Sequence, residues 1–309
     1  MAVADTAQQL AWEARQRPRA GIAAIAAGVL TLLGYLWRGL GFRDSPSSGY
    51  LESLGRAGAD GPIGTQPSSR TAAYEYLDGR TLTIVGSALV ICLAYLALGW
   101  AVTFLAAAVR ARRPQFIRPG VYLPIVGATL AGVSQVAGAL GTRTAISEYL
   151  DGPRTVDAAR DVGGGSLLLT AEILSQLGPL LLGAGLMLVS LNAMRVGLLT
   201  RFLGFLGIIA GVLSVLPLTP IPVIQSFWLV AVGLLFLGKV RGGVPPAWRT
   251  GEAEPWPSNQ QAAAARREAA AAKRRGDDKE PEAEPQPRPV PAVRGPHVSS
   301  KKRKRKRRG

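Results

Sequence analysis

The amino-acid sequence predicts an all-α integral membrane protein with six transmembrane helices and a polar tail. Long apolar runs, basic residues clustered between alternate runs, and proline-rich or charged segments at the ends of the runs lead to this fold class. A helix needs about 20 mainly apolar residues to cross a bilayer core of about 30 Å. Six stretches meet or approach that length. The expected spans are residues 20–37, 82–109, 121–141, 166–191, 202–218 and 222–237.

The first and last spans each admit an alternative. Residues 20–37 follow a basic segment, as in a signal peptide, but the sequence after Trp37 offers no small-x-small cleavage site, so we expect an uncleaved helix. The last two spans are separated by Pro217, Pro220 and Pro222, which a helix interior does not accommodate. A tight hairpin is therefore favoured over one long span, which would leave only five crossings.

The distribution of basic residues predicts that both ends of the chain are cytoplasmic. Loop 110–118 has four basic residues and no acid, whereas loop 142–165 has three basic residues and four acids. Lys and Arg are enriched in cytoplasmic loops, and six crossings return the chain to its starting side. Residues 1–19 then form a cytoplasmic N-tail. Residues 242–309 form a mostly disordered basic tail with a short Ala-rich helix near 260–275.

Small residues recur at one spacing in the first, third and fifth helices. Two small residues four positions apart share a helix face and allow close backbone approach, although the abundance of Ala and Gly here makes chance an equal explanation. The expected helix-packing residues are Ala24, Gly28, Ala128, Gly132, Gly207 and Gly211.

A second repetition lies in the segments that precede the second and fourth helices. Residues 75–79 and 148–152 both read Glu-Tyr-Leu-Asp-Gly. Together with the small-residue spacing, this predicts three helical hairpins in the same orientation, descended from an ancestral repeat. Repeats of this kind occur in transporters. The motif can alternatively be a local feature, a short surface helix that ends at its glycine.

Glu172 is the only acid well inside a predicted span, and it defines the candidate polar site. Gln176 lies one turn further along the same helix face, and Gln135 of the third helix lies at a similar depth. We expect a Gln135–Glu172 contact across the hairpin. An intramembrane carboxylate is a candidate proton or cation site, whereas a carboxyl near the interface can also be purely structural.

The remaining composition argues against catalysis. The chain has one histidine, His297 in the polar tail, and one cysteine, Cys92 in an apolar run. A histidine-based metal site in the membrane region and an intrachain disulfide are therefore excluded. The sequence has no phosphate-binding loop, paired-histidine motif or nucleophile elbow. We predict a protein that is not an enzyme and that has no metal and no cofactor.

The tail ends in a run of eight basic residues. Such a run favours contact with anionic lipid headgroups at a membrane, although nonspecific nucleic-acid binding has the same electrostatic origin. We expect lipid as the partner and no specific nucleic acid, and a protein partner or homo-oligomer is left open. The lipid-contact residues are Lys301, Lys302, Arg303, Lys304, Arg305, Lys306, Arg307 and Arg308.

Two stretches carry a resemblance to known sequences. Residues 192–211 read NAMRVGLLTRFLGFLGIIAG, and the segment after the last span contains GVPPAW at 243–248 and GEAEPWP at 251–257. Both resemble uncharacterised multi-helix integral membrane proteins, with a domain of unknown function, from high-GC Gram-positive bacteria. The resemblance implies a bacterial plasma membrane and implies no activity.

Two functions remain as expectations. The first is a structural or interaction module that packs through small residues and touches lipid or a partner through its basic tail. The alternative is a small transporter in which Glu172 and Gln135 line a polar path. A water-accessible cavity that reaches Glu172 favours the transporter, and a sealed Glu172 favours the module.

Overall fold

A computed structural model describes residues 6–46, 62–216, 218, 221–240, 243–256, 264 and 267–270. Within these residues the fold is helical, with one isolated β-bridge between Pro67 and Thr155 and one 3₁₀ turn at Ile63–Thr65. The helices are α1 (Thr6–Gly41), α2 (Thr71–Asp78), α3 (Thr81–Arg112), α4 (Arg118–Asp151), α5 (Val156–Asp161), α6 (Ser166–Arg195), α7 (Arg201–Val215), α8 (Val223–Phe236) and α9 (Ala247–Thr250).

Each predicted span coincides with one helix, namely α1, α3, α4, α6, α7 or α8. Four of them, α1, α3, α4 and α6, are long and apolar enough to cross a membrane. Helices α7 and α8 have 15 and 14 residues, about 22 Å each at a rise of 1.5 Å per residue. The all-helical class is confirmed, with four long apolar helices. Six crossings and the repeated hairpins stay predictions.

The six longer helices pack in chain order, and α8 closes the bundle against α1. Neighbouring helices are antiparallel, because Glu13 near the start of α1 pairs with Arg112 at the end of α3. Arg17 of α1 also donates to the backbone oxygen of Phe236 at the end of α8. We call this side of the bundle the N-terminal end. The opposite side, where α1 ends and α3 and α6 begin, is the loop end.

Small residues lie at the closest helix contacts. A Cβ on Gly28 of α1 would come within 2.7 Å of the Ser226 oxygen on α8, and one on Gly211 of α7 within 2.8 Å of the Gly183 oxygen on α6. A methyl group at either position would displace a neighbouring backbone. Each of the six predicted packing residues touches a neighbouring helix: Ala24, Gly28, Ala128, Gly132, Gly207 and Gly211.

The N-terminal end contains chain that the sequence assigned to the two tails. Helix α1 begins at Thr6, so residues 6–19 continue the first span rather than forming a separate tail. Residues 243–256 also belong to the helical unit, where Ala247 and Trp248 are 0% and 4% exposed. The predicted tail boundary at residue 242 is therefore corrected. Apolar side chains in residues 6–19 and 243–256 pack against the helix bundle. Hydropathy does not predict this packing, because neither segment is a long apolar run.

A buried ion pair joins these two segments to the bundle. Arg112 donates to both carboxylate oxygens of Glu13, with an Nη2–Oε2 distance of 2.8 Å, and also to the backbone oxygens of Ala108 and Ala247. The side chains of Arg112 and Glu13 are 0% and 3% exposed. The guanidinium lies 5.5 Å from the Trp248 ring centroid. A buried charge is tolerated where it is paired and hydrogen-bonded in this way.

Aromatic rings fill the same end of the bundle. The Phe104 ring lies between three others, with centroid distances of 5.5 Å to Trp12, 5.3 Å to Phe236 and 5.9 Å to Trp248. These four residues come from α1, α3, α8 and α9. Offset and edge-to-face aromatic contacts of this kind add to the apolar area that they bury. These rings therefore pack against one another at the N-terminal end.

Three tryptophans fasten the turn between α6 and α7. Trp248, Trp256 and Trp228 donate their indole N–H groups to the backbone oxygens of Leu198, Leu199 and Leu203, respectively, at 2.8–2.9 Å. A helix-to-helix turn exposes carbonyl groups that need partners when they are buried. Residues 192–211 and 243–256 therefore contact each other.

At the loop end the segment before α3 docks on the segment after α4. Ser68 N–H donates to the Arg154 oxygen at 2.9 Å, and the Tyr74 and Tyr149 rings lie 4.9 Å apart. The two Glu-Tyr-Leu-Asp-Gly copies differ in setting, since one forms the second half of α2 and the other ends α4. Tyr76 donates to the Gly41 oxygen, whereas Tyr149 donates to the Arg154 oxygen. The motif tyrosines thus fasten different parts of the chain.

We expect Glu13→Gln to destabilise the fold by about 3 kcal/mol, because it leaves the buried Arg112 guanidinium without an opposite charge. The free energy of unfolding can be measured in dodecyl maltoside by titration with sodium dodecyl sulfate, followed by circular dichroism.

The matched control is Glu75→Gln, the same substitution in the exposed Glu75–Arg154 pair, where the side chains are 54% and 46% exposed. We expect it to cost less than about 1 kcal/mol. If both variants lower the free energy of unfolding equally, the buried Glu13–Arg112 pair contributes no more to stability than an exposed pair.

Candidate functional site

A polar cavity of about 430 Å³ lies at the loop end of the bundle. It is enclosed by α1, α3, α4 and α6, with one residue from α2. Its walls combine two opposite charges, several hydroxyl and amide groups, and aliphatic side chains. The lining residues are Arg38, Phe42, Leu77, Ile84, Ser134, Gln135, Gly138, Ala139, Thr142, Leu168, Ala171, Glu172 and Ser175.

Glu172 is positioned by the second turn of α6. Its Oε1 accepts a hydrogen bond from Gln176 Nε2 at 3.0 Å, as the shared helix face predicts. Gln176 itself does not line the cavity. The Glu172 side chain is exposed and lines the cavity.

Gln135 faces the same cavity but has a different partner from the one expected. Its Oε1 accepts from Arg38 Nη1 at 2.9 Å. In the described part of the chain, no hydrogen bond joins Gln135 to Glu172, although both residues line the cavity. The bond from the charged guanidinium is about twice as strong as a neutral one, and it holds the amide oxygen of Gln135 against Arg38.

Arg38 is the site residue that the sequence did not identify. The first span was expected to end at Trp37, which placed Arg38 in a solvent-exposed loop, but α1 continues to Gly41. Arg38 lies one and two turns from Gly34 and Thr31 on one side of α1, and this spacing is the signal that places it toward the bundle. Its Nε also donates to Ser87 Oγ at 3.3 Å.

The two charges of the cavity do not neutralise each other. Arg38 has no ion pair with any carboxylate among the described residues, and Glu172 has none with any described cation. Both line one cavity, whose space therefore borders on both side chains. Opposite charges at a membrane interface attract strongly unless water or a ligand occupies that space.

A second cavity, of about 460 Å³, lies deeper in the bundle. On α1 and α6 its lining residues, Tyr35 and Pro179, are one turn closer to the N-terminal end than Arg38 and Ser175. Arg38 is near enough to Tyr35 and Tyr95 to interact electrostatically with both, so it lies between the two cavities. The lining residues are Thr31, Tyr35, Tyr95, Leu98, Pro179, Leu182, Leu213, Ser214, Leu218, Pro222, Gln225 and Leu229.

The polar groups of the deeper cavity are uncharged. Tyr35 and Tyr95 lie close enough to interact with each other, and Gln225 Nε2 donates to Ser214 Oγ at 3.2 Å. Pro179 lies inside the continuous helix α6, where proline removes one backbone donor. The lining of this cavity is therefore neutral, whereas the lining of the loop-end cavity includes two charged residues.

Other predicted site features lie elsewhere. Among the described residues, no group of three His, Cys, Asp or Glu side chains is placed to hold a metal ion. The eight basic residues at 301–308 lie outside the described part of the chain, as does most of the predicted Ala-rich helix; residues 264 and 267–270 are helical.

Comparison with family models, with curated proteins and with solved structures found no match for this chain. The class of protein is therefore defined by its own fold and site. It is a helical bundle with four helices long and apolar enough to span a membrane, and a cavity with two unpaired charges opens at its loop end. The resemblance carried by residues 192–211 and 243–257 stays a prediction.

The cavity predicts a difference in reactivity between two serines of α6. Ser175 lines the cavity, whereas Ser190 is fully buried near the N-terminal end. In a Cys92→Ala background, we expect a positively charged methanethiosulfonate reagent to label Ser175→Cys at least tenfold faster than Ser190→Cys, because only the first thiol meets water.

Labelling rates can be followed by mass spectrometry of the protein in dodecyl maltoside. The Cys92→Ala chain without an added cysteine is the blank, and labelling of Ser190→Cys after denaturation shows that its thiol is intact. Equal slow labelling of both folded variants would mean that the cavity is closed to water.

Proposed function

We propose that the chain is an integral plasma-membrane protein with six crossings whose N-terminal end, with both termini, faces the cytoplasm. The support is the charge at that end, which agrees with the enrichment of basic residues in cytoplasmic loops. Basic residues follow α3, begin α4, flank the α6–α7 turn and follow α8: Arg113, Arg118, Arg195, Arg201 and Lys239.

Exposed apolar side chains support crossings by the two short helices. On α7, Phe202, Phe205, Ile209 and Val212 are 40–65% exposed and recur every three or four residues, which defines one outward face. A large apolar face on a protein surface marks contact with lipid or with another protein. Helices of about 22 Å can span a bilayer that thins locally around them.

Within this topology the protein is a small transporter that is not an enzyme, with Glu172 as its proton or cation site. One observation carries this function: Glu172 lines a cavity at the loop end, while the aromatic rings of the N-terminal end pack against one another. Transporters expose their binding site to one side of the membrane at a time. We assign this arrangement to the state that is open to the outside.

The environment of Glu172 suits a site that binds and releases a cation. The one hydrogen-bond partner of its carboxylate among the described residues is the neutral amide of Gln176. Ionisable groups within membrane helices occur mainly where they face a cavity and serve proton or ion movement. By contrast, the Glu13 carboxylate is buried and is paired with Arg112 through both oxygens.

A second candidate function is a structural or interaction module. The observation that favours it is the docking of residues 243–256 on the N-terminal end, which holds the start of the basic tail at one face of the bundle. The run at 301–308 would then contact anionic headgroups of the inner leaflet or a protein partner. A module does not require Glu172 to titrate or to meet water.

Cation flux separates the two functions. In proteoliposomes with an inside-negative potassium diffusion potential, we expect the wild-type chain to admit protons or ²²Na⁺. We expect Glu172→Gln to reduce the initial rate at least tenfold, because an amide neither titrates nor neutralises a cation. Entrapped pyranine reports proton entry, and filtration reports sodium uptake.

Glu75→Gln, at an exposed pair of the loop end, is the matched control and should leave the flux unchanged. Rates equal to those of protein-free liposomes, or a Glu172→Gln rate equal to wild type, would contradict the transporter and leave the module as the better account.

A further inference from the structure

We propose that the loop-end cavity binds a zwitterion, a molecule that carries a primary ammonium group and a carboxylate or phosphate. This inference rests on the proposed transporter function and names the class of ligand that binds beside Glu172. It follows from the two unpaired opposite charges, Arg38 and Glu172, on the walls of one cavity. A ligand with a single charge would satisfy one wall and leave the other charge without a partner.

Arg38 is prepared to hold the anionic group. Its Nε and Nη1 donate to two neutral oxygens, of Ser87 and Gln135, which fix the plane of the guanidinium. Its Nη2 has no partner among the described residues. A guanidinium held in one plane is the preferred protein group for carboxylate and phosphate oxygens. The site therefore contains a positioned cation with donor capacity to spare.

Glu172 is placed to hold the ammonium group. Gln176 occupies only Oε1, and Oε2 has no partner among the described residues. The side chains of Ser134, Thr142 and Ser175 line the same cavity and supply further oxygens near the ligand. An ammonium group has three donors and needs several acceptors, so a carboxylate among hydroxyl groups matches it.

The size and remaining walls of the cavity limit the ligand further. A volume of about 430 Å³ falls in the range of roughly 300–1,000 Å³ that is typical of small-molecule sites. Ile84 and Leu168 provide an apolar wall for a hydrocarbon portion. Free amino acids and the headgroup of an aminophospholipid both have this chemistry, and the experiment must separate these two sources.

The test measures retention of both sources by the full chain in a neutral environment, since zwitterionic detergents would compete. For the free source, equilibrium dialysis in dodecyl maltoside uses a ¹⁴C-labelled mixture of the twenty L-amino acids. For the lipid source, native mass spectrometry counts phosphatidylethanolamine and phosphatidylglycerol carried over from nanodiscs that contain equal amounts of each. We expect amino acid, or phosphatidylethanolamine in preference to phosphatidylglycerol, to be retained.

Variants assign the binding to the two charges. We expect Glu172→Gln and Arg38→Gln each to reduce retention at least tenfold, and Glu75→Gln to leave it unchanged. Arg38→Lys keeps the positive charge and serves as the second variant if Arg38→Gln does not fold. We expect it to reduce retention less than tenfold. For a retained amino acid, its deaminated acid should bind Glu172→Gln as well as it binds wild type, because that ligand never used the carboxylate.

Each result bears on the proposal. Retention that depends on both charges supports it, and the arm that responds identifies the source. No retention in either arm, or retention that is independent of Arg38 and Glu172, overturns the zwitterion. Overturning it leaves the transporter standing if Ser175→Cys is labelled and Glu172→Gln lowers cation flux. Loss of those two results would instead remove the proposed function.

Discussion

The guanidinium of Arg112 binds three parts of the chain that lie far apart in sequence. It pairs with Glu13 near the start of α1, donates to Ala108 on its own helix, and donates to Ala247 in the segment after α8. Because the pair is buried, removing either partner leaves a charge that the surroundings cannot solvate. This requirement holds the first turns of α1 and residues 243–256 against the bundle, where their aromatic rings pack against one another.

Close helix contacts and a cavity occur together in this bundle. Where Gly lies at the contact, as at Gly28 and Gly211, backbones approach so closely that a single Cβ would not fit. Between α1, α4 and α6 at the loop end, polar side chains line a cavity. Apolar burial does not drive helix association in lipid, so the close contacts at small residues stabilise the bundle that surrounds this cavity.

Hydropathy predicted the existence of all six longer helices, because a long apolar run has few alternatives in a membrane. It missed the polar ends of α1, which begins at Thr6, and of α4, which continues to Asp151. It could not predict that residues 243–256 dock, since Trp248 and Trp256 find their acceptors, the oxygens of Leu198 and Leu199, only in the folded chain. Part of the polar site was also predictable, since Glu172 and Gln135 line one cavity. The role of Arg38, which donates to Gln135, was not predictable. The count of basic residues in loops does not distinguish an arginine that faces the bundle from one that faces solvent.

Two pairs of opposite charges in this bundle differ in whether the charges contact each other. Arg112 and Glu13 satisfy each other through two hydrogen bonds in a sealed interior, so neither charge is available to a ligand. Arg38 and Glu172 share a cavity, yet each bonds to neutral partners, the amides of Gln135 and Gln176. A purely structural pair would be expected to close the gap, because the attraction between the charges rises as water is excluded. Because Arg38 and Glu172 remain unpaired, the cavity has a positive wall and a negative wall. Charge complementarity favours a ligand with a negative group and a positive group at matching positions.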